Sequence, residues 1–176
     1  DIGNMELPGC FAMTETGHGS NVRNCETTAT YDPASDEIIV HSPTLSAGKD
    51  YIGNAAAHGQ MASVFAQLIV DGKNHGVHAI LVDIRNKEGK IATGVKIEDC
   101  AYKLGLNGVD NGRIWFDQVR VPRFNLLNRF GDINEQGVYS SPIEKESKRF
   151  FTMLGTLVGG RMCVPRAGLS ATKASL

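Results

Sequence analysis

The sequence predicts a mainly β fold, an antiparallel barrel or sandwich of six to seven strands followed by a C-terminal helix. Hydrophobic residues alternate with period two over most of the chain, whereas the period of three to four that lines a helix face appears only after residue 143. Glycine is abundant, at 20 of 176 residues, and six prolines add further turn formers. Short strands separated by tight turns are typical of barrels and sandwiches.

The clearest predicted hairpin joins residues 60–70 to residues 77–85 through the turn-rich segment 71–76. Hydrophobic side chains occupy both parities of these two strands, so we expect both of their faces to be covered. The same alternation places His75 and His78 on opposite faces, which argues against a two-histidine metal site. We therefore predict no metal site.

A second hairpin is predicted from two shorter strands, residues 25–31 and 37–41, with turn chemistry between them at 32–36. Three further turns are expected at 86–90, 107–108 and 111–112. They bound two more strands, residues 95–98 and 113–119.

Charge and periodicity both change near residue 144. Residues 144–176 carry six cations against two anions, a net +4, whereas the preceding 143 residues carry −5. We predict a β domain over residues 1–143 and a helical segment over 144–176. The apolar stripe of that helix needs another surface to pack on, and otherwise frays. The stripe consists of Phe150, Leu154, Leu157 and Val158.

Composition excludes several classes of function. A net charge of −1 and a pI near 6.6 give no case for a nucleic-acid partner or an anionic membrane surface. No apolar run reaches the roughly 18 residues of a membrane span, and we expect a protein that is not secreted. The cysteines lie far apart without zinc spacing, so we expect reduced and mostly buried thiols. They are Cys10, Cys25, Cys100 and Cys163.

The segment with the clearest chemical potential is C-F-A-M-T-E-T-G-H-G-S-N, residues 10–21. A short apolar strand runs here into a turn with two glycines, flanked by hydroxyl and amide side chains, which suits close approach of a planar or anionic ligand. A purely structural turn fits the same pattern. Neither phosphate-loop nor dinucleotide-binding spacing is present, so a mononucleotide-binding fold is disfavoured.

This segment resembles the flavin-binding loop of the acyl-CoA dehydrogenase and acyl-CoA oxidase superfamily, in which T-E-x-G-x-G-S/T is a hallmark. Other matches follow in the family's order and cover nearly the whole chain. They are E-T-T-A-T-Y-D-P at 26–33, G-K-D-Y-I-G-N-A at 48–55, D-C at 99–100, K-L-G-L-N-G-V-D-N-G at 103–112, F-D-Q-V-R-V-P-R at 116–123, N-L-L-N-R-F at 125–130 and L-V-G-G-R at 157–161.

Three positions favour the oxidase branch of the superfamily. His18 and Asn21 stand where dehydrogenases have Ala and Asp, and Gly53 stands where they usually carry Thr. The resemblance implies an FAD-dependent acyl-CoA oxidase of fatty acid β-oxidation, which converts acyl-CoA to trans-2-enoyl-CoA and passes electrons to dioxygen. Two alternatives stay open: a dehydrogenase that uses a carrier flavoprotein, and a non-catalytic module on the same scaffold.

The resemblance also implies site residues for FAD. Thr14 would hydrogen-bond around N5 and O4 of the flavin, and Phe11 and Met13 would line the ring and the thioester region. Tyr51 takes the place of the family's tryptophan against the ring. Gly19 and Gly53 would bring backbone close to the flavin.

Two residues are expected to contact the phosphates of the ligands. The resemblance places Ser20 at the flavin pyrophosphate or at the CoA arm. Arg161 could bind a CoA phosphate, although a solvated or interdomain salt bridge suits it equally well.

The resemblance makes residues 1–143 the middle β-barrel domain and residues 144–176 the start of a truncated C-terminal helical domain. The catalytic base is expected outside this chain, so no catalytic residue is assigned within it. We expect a fragment of a larger homo-oligomeric protein whose other helical domains complete the site. The chain alone should be inactive and bind FAD weakly or not at all. The expected compartment is the cytoplasm in bacteria and the peroxisome in eukaryotes.

Overall fold

The computed structural model describes residues 3–4 and 6–175. The chain divides into two compact units, residues 1–141 and residues 142–176. The first unit holds eleven strands among the described residues. They are β1 (Gly9–Ala12), β2 (Thr28–Asp32), β3 (Glu37–His41), β4 (Lys49–Gly53), β5 (Met61–Val70), β6 (Lys73–Asp83), β7 (Val95–Asp99), β8 (Asn111–Phe116), β9 (Val119–Pro122), β10 (Asp132–Ile133) and β11 (Tyr139–Ser140).

Strand β5 organises the largest sheet, whose order is β1-β5-β2-β3-β9 with β6 also paired to β5. The β6 strand runs antiparallel along one edge of β5, so β1 and β2 share the other edge, and both run parallel to β5. A second sheet has the order β4-β8-β7, and β10 pairs with β11. Side chains from both larger sheets, among them Ile38, Leu68 and Ile114, form one hydrophobic core.

The predicted mainly β fold with a C-terminal helix is confirmed. The predicted strands correspond to β2, β3, β5, β6, β7 and β8, and the short apolar strand before Thr14 corresponds to β1. No strand is predicted from the sequence at β4, and β10 and β11, of two residues each, leave too little pattern to detect. The two parallel pairings depart from the expected all-antiparallel arrangement, because β1 and β2 meet the same edge of β5.

The long hairpin forms with a tighter turn than predicted. Asp71 and Gly72 adopt φ values of 49° and 73°, the left-handed pair of a two-residue hairpin turn, so residues 73–76 belong to β6. Residues 76–80 of β6 are all buried, which confirms that both faces are covered there.

The placement of His75 and His78 on opposite faces is wrong. The pairing of β5 with β6 shifts by one residue beside Gly76, whose φ is 81°, and this bulge reverses the alternation. As a result both imidazoles contact Tyr139. The His75 ring centroid lies 3.9 Å from that of Tyr139, and His78 Nε2 lies 2.9 Å from the Tyr139 hydroxyl.

Two further sequence expectations need correction near β8. Residues 113–119 do not form one strand, because Gln118 adopts a φ of 52° and separates β8 from β9, which lie in different sheets. Gly112 lies within β8 rather than in a turn. A Cβ there would lie 2.6 Å from the backbone nitrogen of Ala56, so glycine is required by close packing.

The second unit contains α1 (Glu146–Leu154) and α2 (Val158–Ser175), with Pro165 inside α2. Phe150 is buried, whereas Val158 is 60% exposed and no residue of 158–175 is buried. Leu154 and Leu157 are half-buried. None of the described helices has both the length and the hydropathy needed to cross a membrane.

All four cysteines are free thiols. Cys10 and Cys25 are buried, Cys100 is half-buried and Cys163 is exposed, so the expectation of mostly buried thiols holds for only part of the set. Burial raises the pKa of Cys10 and of Cys25 to about 11. These two thiols are therefore protonated and unreactive near neutral pH.

Candidate functional site

Two segments far apart in sequence meet at Thr14. The Thr14 hydroxyl donates to the backbone oxygen of Asp50 at 2.9 Å, and the Asp50 N–H donates to the backbone oxygen of Thr14 at 3.0 Å. The Thr14 N–H has no acceptor among the residues that the structure describes. The result is a half-buried threonine with a free backbone donor, directly beside the segment that carries Tyr51.

A β-bulge turns Tyr51 towards solvent. The pairing of β4 with β8 shifts between Lys49 and Ile52, and Tyr51 has a φ of 57°, a left-handed conformation that bulky residues rarely adopt. Without the bulge, alternation would point Tyr51 inward with Lys49. Tyr51 is instead 61% exposed. Bulges commonly re-aim a side chain next to a functional site.

Phe11 and Met13 behave differently although they lie close together. Phe11 is 50% exposed on β1, and its ring centroid lies 4.8 Å from that of the buried Phe65. Phe11 also lines an open groove of about 320 Å³ together with Met61 and Leu81. The Met13 side chain is only 6% exposed, so this residue offers little side-chain surface to a ligand.

The glycines named from sequence have room around them. A Cβ at Gly53 or at Gly19 would meet no atom within 4 Å, and both residues are exposed. Ser20 is exposed beside Gly19. Packing within the described protein therefore does not explain these two glycines. Arg161 is exposed on α2, in the second unit.

A buried ion pair beneath this surface, which the sequence analysis did not identify, joins Glu15 to Lys49. Both side chains are fully buried, and Lys49 Nζ lies 2.9 Å from Glu15 Oε1. The ammonium also donates to the backbone oxygens of Met13, at 3.3 Å, and Phe65, at 2.6 Å. All three ammonium hydrogens thus have acceptors, which a buried charge requires.

Glu15 accepts further hydrogen bonds from the following loop. Its oxygens accept from the Glu26 N–H at 2.7 Å, the Thr27 N–H at 3.0 Å and the Thr27 hydroxyl at 2.6 Å. Burial alone would raise the pKa of Glu15, but Lys49 and these donors outweigh it and hold the pKa below its usual range. Glu15 is therefore ionised at neutral pH.

The short segment that follows Gly53 is held by two charged side chains, one on its N–H groups and one on its carbonyl oxygens. The Asp110 carboxylate accepts from the N–H groups of Ala56, Ala57 and His58 at 2.9 to 3.1 Å. The buried Arg85 guanidinium donates to backbone oxygens of the same segment, two of them on Ala55 and Ala56, at 2.9 and 2.7 Å. Both contacts complement the dipole of the turn.

Glu15 and Lys49, which the sequence analysis did not identify, both lie close in sequence to predicted site residues. Glu15 follows Thr14, and Lys49 lies two residues before Tyr51. Burial of a lysine cannot be read from local sequence, because lysine is almost always exposed unless it is paired. Only the pairing of the two segments reveals why both charges occur there.

Comparisons with known proteins show the family of this chain. Residues 10–119 match the family described as acyl-CoA dehydrogenase, middle domain. The chain belongs to this family. The matched range includes every site residue discussed above except Arg161.

Relatives of this middle domain are acyl-CoA oxidases. The peroxisomal acyl-coenzyme A oxidase 3 of Arabidopsis thaliana is 48% identical over 170 residues, which cover 97% of this chain and 25% of the relative. The chain thus spans about a quarter of the length of the curated relatives it matches.

Solved structures similar to this middle domain are also those of acyl-CoA oxidases. Arabidopsis thaliana acyl-CoA oxidase 1 is 36% identical with a TM-score of 0.79, over 86% of this chain and 24% of that one. The Caenorhabditis elegans acyl-CoA oxidase-1 complexed with FAD and ATP is 40% identical with a TM-score of 0.76, over 79% of this chain and 22% of that one.

Proposed function

We propose that this chain is the flavin-contacting part of an FAD-dependent acyl-CoA oxidase. The observation that carries the proposal is the left-handed bulge that exposes Tyr51 in the segment paired with Thr14, whose N–H has no acceptor among the described residues. We name Thr14, Tyr51 and Gly53, together with the exposed Phe11 three residues before Thr14, the ring face. The oxidase identity of the relatives supports the proposed reaction.

The ring face suits a planar heterocycle such as the flavin. Tyr51 projects an accessible ring, and the Thr14 N–H, which has no acceptor within the described part of the chain, is available to an edge of such a ring. The open space at Gly53 allows close approach to the backbone. When bound, the flavin supplies the two-electron acceptor for the hydride. The residues of this chain bind and orient it.

The proposed overall reaction converts acyl-CoA and dioxygen to trans-2-enoyl-CoA and hydrogen peroxide. In this scheme Ser20 contacts the flavin pyrophosphate or the CoA arm, and Arg161 contacts a CoA phosphate. Met13 is buried, and its backbone oxygen accepts a hydrogen bond from Lys49. The base that removes the α-proton comes from the helical domains of the full-length protein.

We further propose that the full-length protein is a homo-oligomer. The peroxisomal names of relatives support a peroxisomal location for a eukaryotic source. Residues 1–143 would form its middle β-barrel domain, and residues 144–176 would begin its C-terminal helical domain.

The test is the reaction of the purified full-length protein with acyl-CoA. We expect a stoichiometric flavin complex that releases one hydrogen peroxide per acyl-CoA consumed. Thr14→Val should reduce this activity, whereas Thr152→Val, a helix-surface change, should leave it intact. Turnover that needs a carrier flavoprotein instead of dioxygen would contradict the oxidase assignment, and absence of bound flavin would contradict the proposal as a whole.

A further inference from the structure

His18 occupies an unusual position between two carboxylates. Its Nδ1 atom lies 3.2 Å from Glu15 Oε2 and 3.7 Å from Glu26 Oε1. The same atom is shut off from solvent and has no fully aligned hydrogen bond within the described part of the chain. A lone pair on Nδ1 would face two carboxylate oxygens, so this nitrogen carries a hydrogen.

Both carboxylates are themselves firmly anchored. Glu15 is held by its buried pair with Lys49. Glu26 accepts hydrogen bonds from the hydroxyls of Thr44 and Ser46, and these bonds lower its pKa. His18 therefore contacts two fixed partners from a position on the loop. Ligand-type atoms of Glu15, His18 and Glu26 lie within 4.8 Å of one another, but Lys49 already compensates the buried charge.

His18 is also the last point of attachment before the exposed part of the loop. The N–H groups of Thr16 and Gly17 donate to the backbone oxygens of Gly48 and Ser46, and the His18 N–H donates to Glu15. The next two residues, Gly19 and Ser20, are exposed and form no hydrogen bond to the rest of the described protein.

We infer that His18 is a positioning residue that fastens Gly19 and Ser20 for contact with the flavin's phosphates. This inference rests on the proposed function. The imidazole acts through Glu15 and Glu26 and does not itself touch the reacting atoms. Its ring joins the exposed end of the loop to the buried carboxylate of Glu15, the residue after Thr14, so the phosphate contacts and the ring face share one anchor.

The experiment compares three variants of the full-length protein with the wild type. His18→Ala removes the donor, and His18→Asn restores an N–H₂ near the place of Nδ1. His41→Ala is the matched control, because His41 Nδ1 is also shielded and lies 3.7 Å from Asp117, away from the loop. Two quantities are measured: amide hydrogen exchange at residues 16–18 of the flavin-free protein, whose N–H groups are hydrogen-bonded, and the dissociation constant of FAD.

We expect His18→Ala to speed exchange at the hydrogen-bonded amides of residues 16–18 and to raise the FAD dissociation constant, each by about tenfold, equivalent to ~1.4 kcal/mol. His18→Asn should recover most of both effects, and His41→Ala should show neither. Unchanged exchange in His18→Ala, or no recovery in His18→Asn, would overturn the inference. A wild type that binds no FAD would refute the proposed function, while the exchange comparison would still decide whether His18 holds the loop.

Discussion

At the scale of single residues, the ring face depends on two buried charges that lie beneath it, Glu15 and Lys49. Glu15 and Lys49 are paired across two segments, and each is adjacent in sequence to a residue of the Thr14–Asp50 contact. A buried pair contributes little net stability compared with apolar residues, but removal of one partner leaves an uncompensated charge. The pair therefore fixes how the two segments meet.

Replacement of Lys49 should destabilise the protein strongly. We expect Lys49→Met to lower the free energy of unfolding by about 3–5 kcal/mol, because Glu15 stays buried without its partner. Urea unfolding measures the loss. The double variant Glu15→Gln/Lys49→Met should be more stable than Lys49→Met alone. Lys96→Met is the control, since Lys96 is exposed beside Glu98 and should cost no more than about 1 kcal/mol. Equal losses for Lys49→Met and Lys96→Met would exclude this role of the pair.

At the scale of elements, the irregular parts of strands carry the site. The bulge in β4 turns Tyr51 outward at the expense of a left-handed backbone, and the turn after Gly53 is held by Asp110 and Arg85. A regular strand would bury the Tyr51 ring. Strain retained at such a position is typical of functional sites.

Tyr51→Gly should lower the affinity for FAD without lowering the stability of the protein. Glycine relieves a backbone cost of about 1–2 kcal/mol, partly offset by its own entropy, so the unfolding free energy should stay equal or rise by up to about 1 kcal/mol. FAD affinity of the full-length protein should fall, because the ring is lost. Tyr102→Gly, at a residue that is 98% exposed with an ordinary φ, should lose stability slightly and keep FAD. A clear loss of stability in Tyr51→Gly would argue against strain at the bulge.

Asp110 should make part of the stability depend on pH. Burial opposes its ionisation, but His58 and the three backbone donors prevail and lower its pKa. A lowered folded pKa means that the stabilisation is present above the unfolded value of about 3.9 and is lost as pH falls through the folded value. Asp110→Asn should therefore lose less stability than the wild type between pH 6 and pH 3 in urea unfolding. Asp83→Asn, an exposed control, should follow the wild type, and identical curves for all three proteins would contradict this.

At the scale of the whole molecule, sequence predicted the features that depend on local pattern. The hairpin of β2 and β3 follows from turn residues between two alternating runs. Bulges beside Gly76 and Tyr51, and the parallel pairing of β1 with β5, depend on which strands meet and in what register. The motif around Thr14 and Tyr51 indicated the candidate site, but the burial of Glu15 and Lys49 arises only from tertiary pairing.

The chain alone should bind FAD weakly and form no peroxide with acyl-CoA. Its ring face is an open surface, so contacts on one side of the ligand alone would have to offset the whole free-energy cost of ordering that ligand. Titration of the 176-residue chain with FAD, followed by flavin fluorescence, measures this. The full-length protein is the positive control. A tight, stoichiometric yellow complex of the chain would show that the ring face is sufficient.

The structure of the full-length protein with bound FAD tests the central claim most directly. The account predicts that the flavin ring lies on the ring face, within hydrogen-bond distance of the Thr14 N–H or hydroxyl and in contact with the Tyr51 side chain. A flavin that contacts neither Thr14 nor Tyr51 would contradict it.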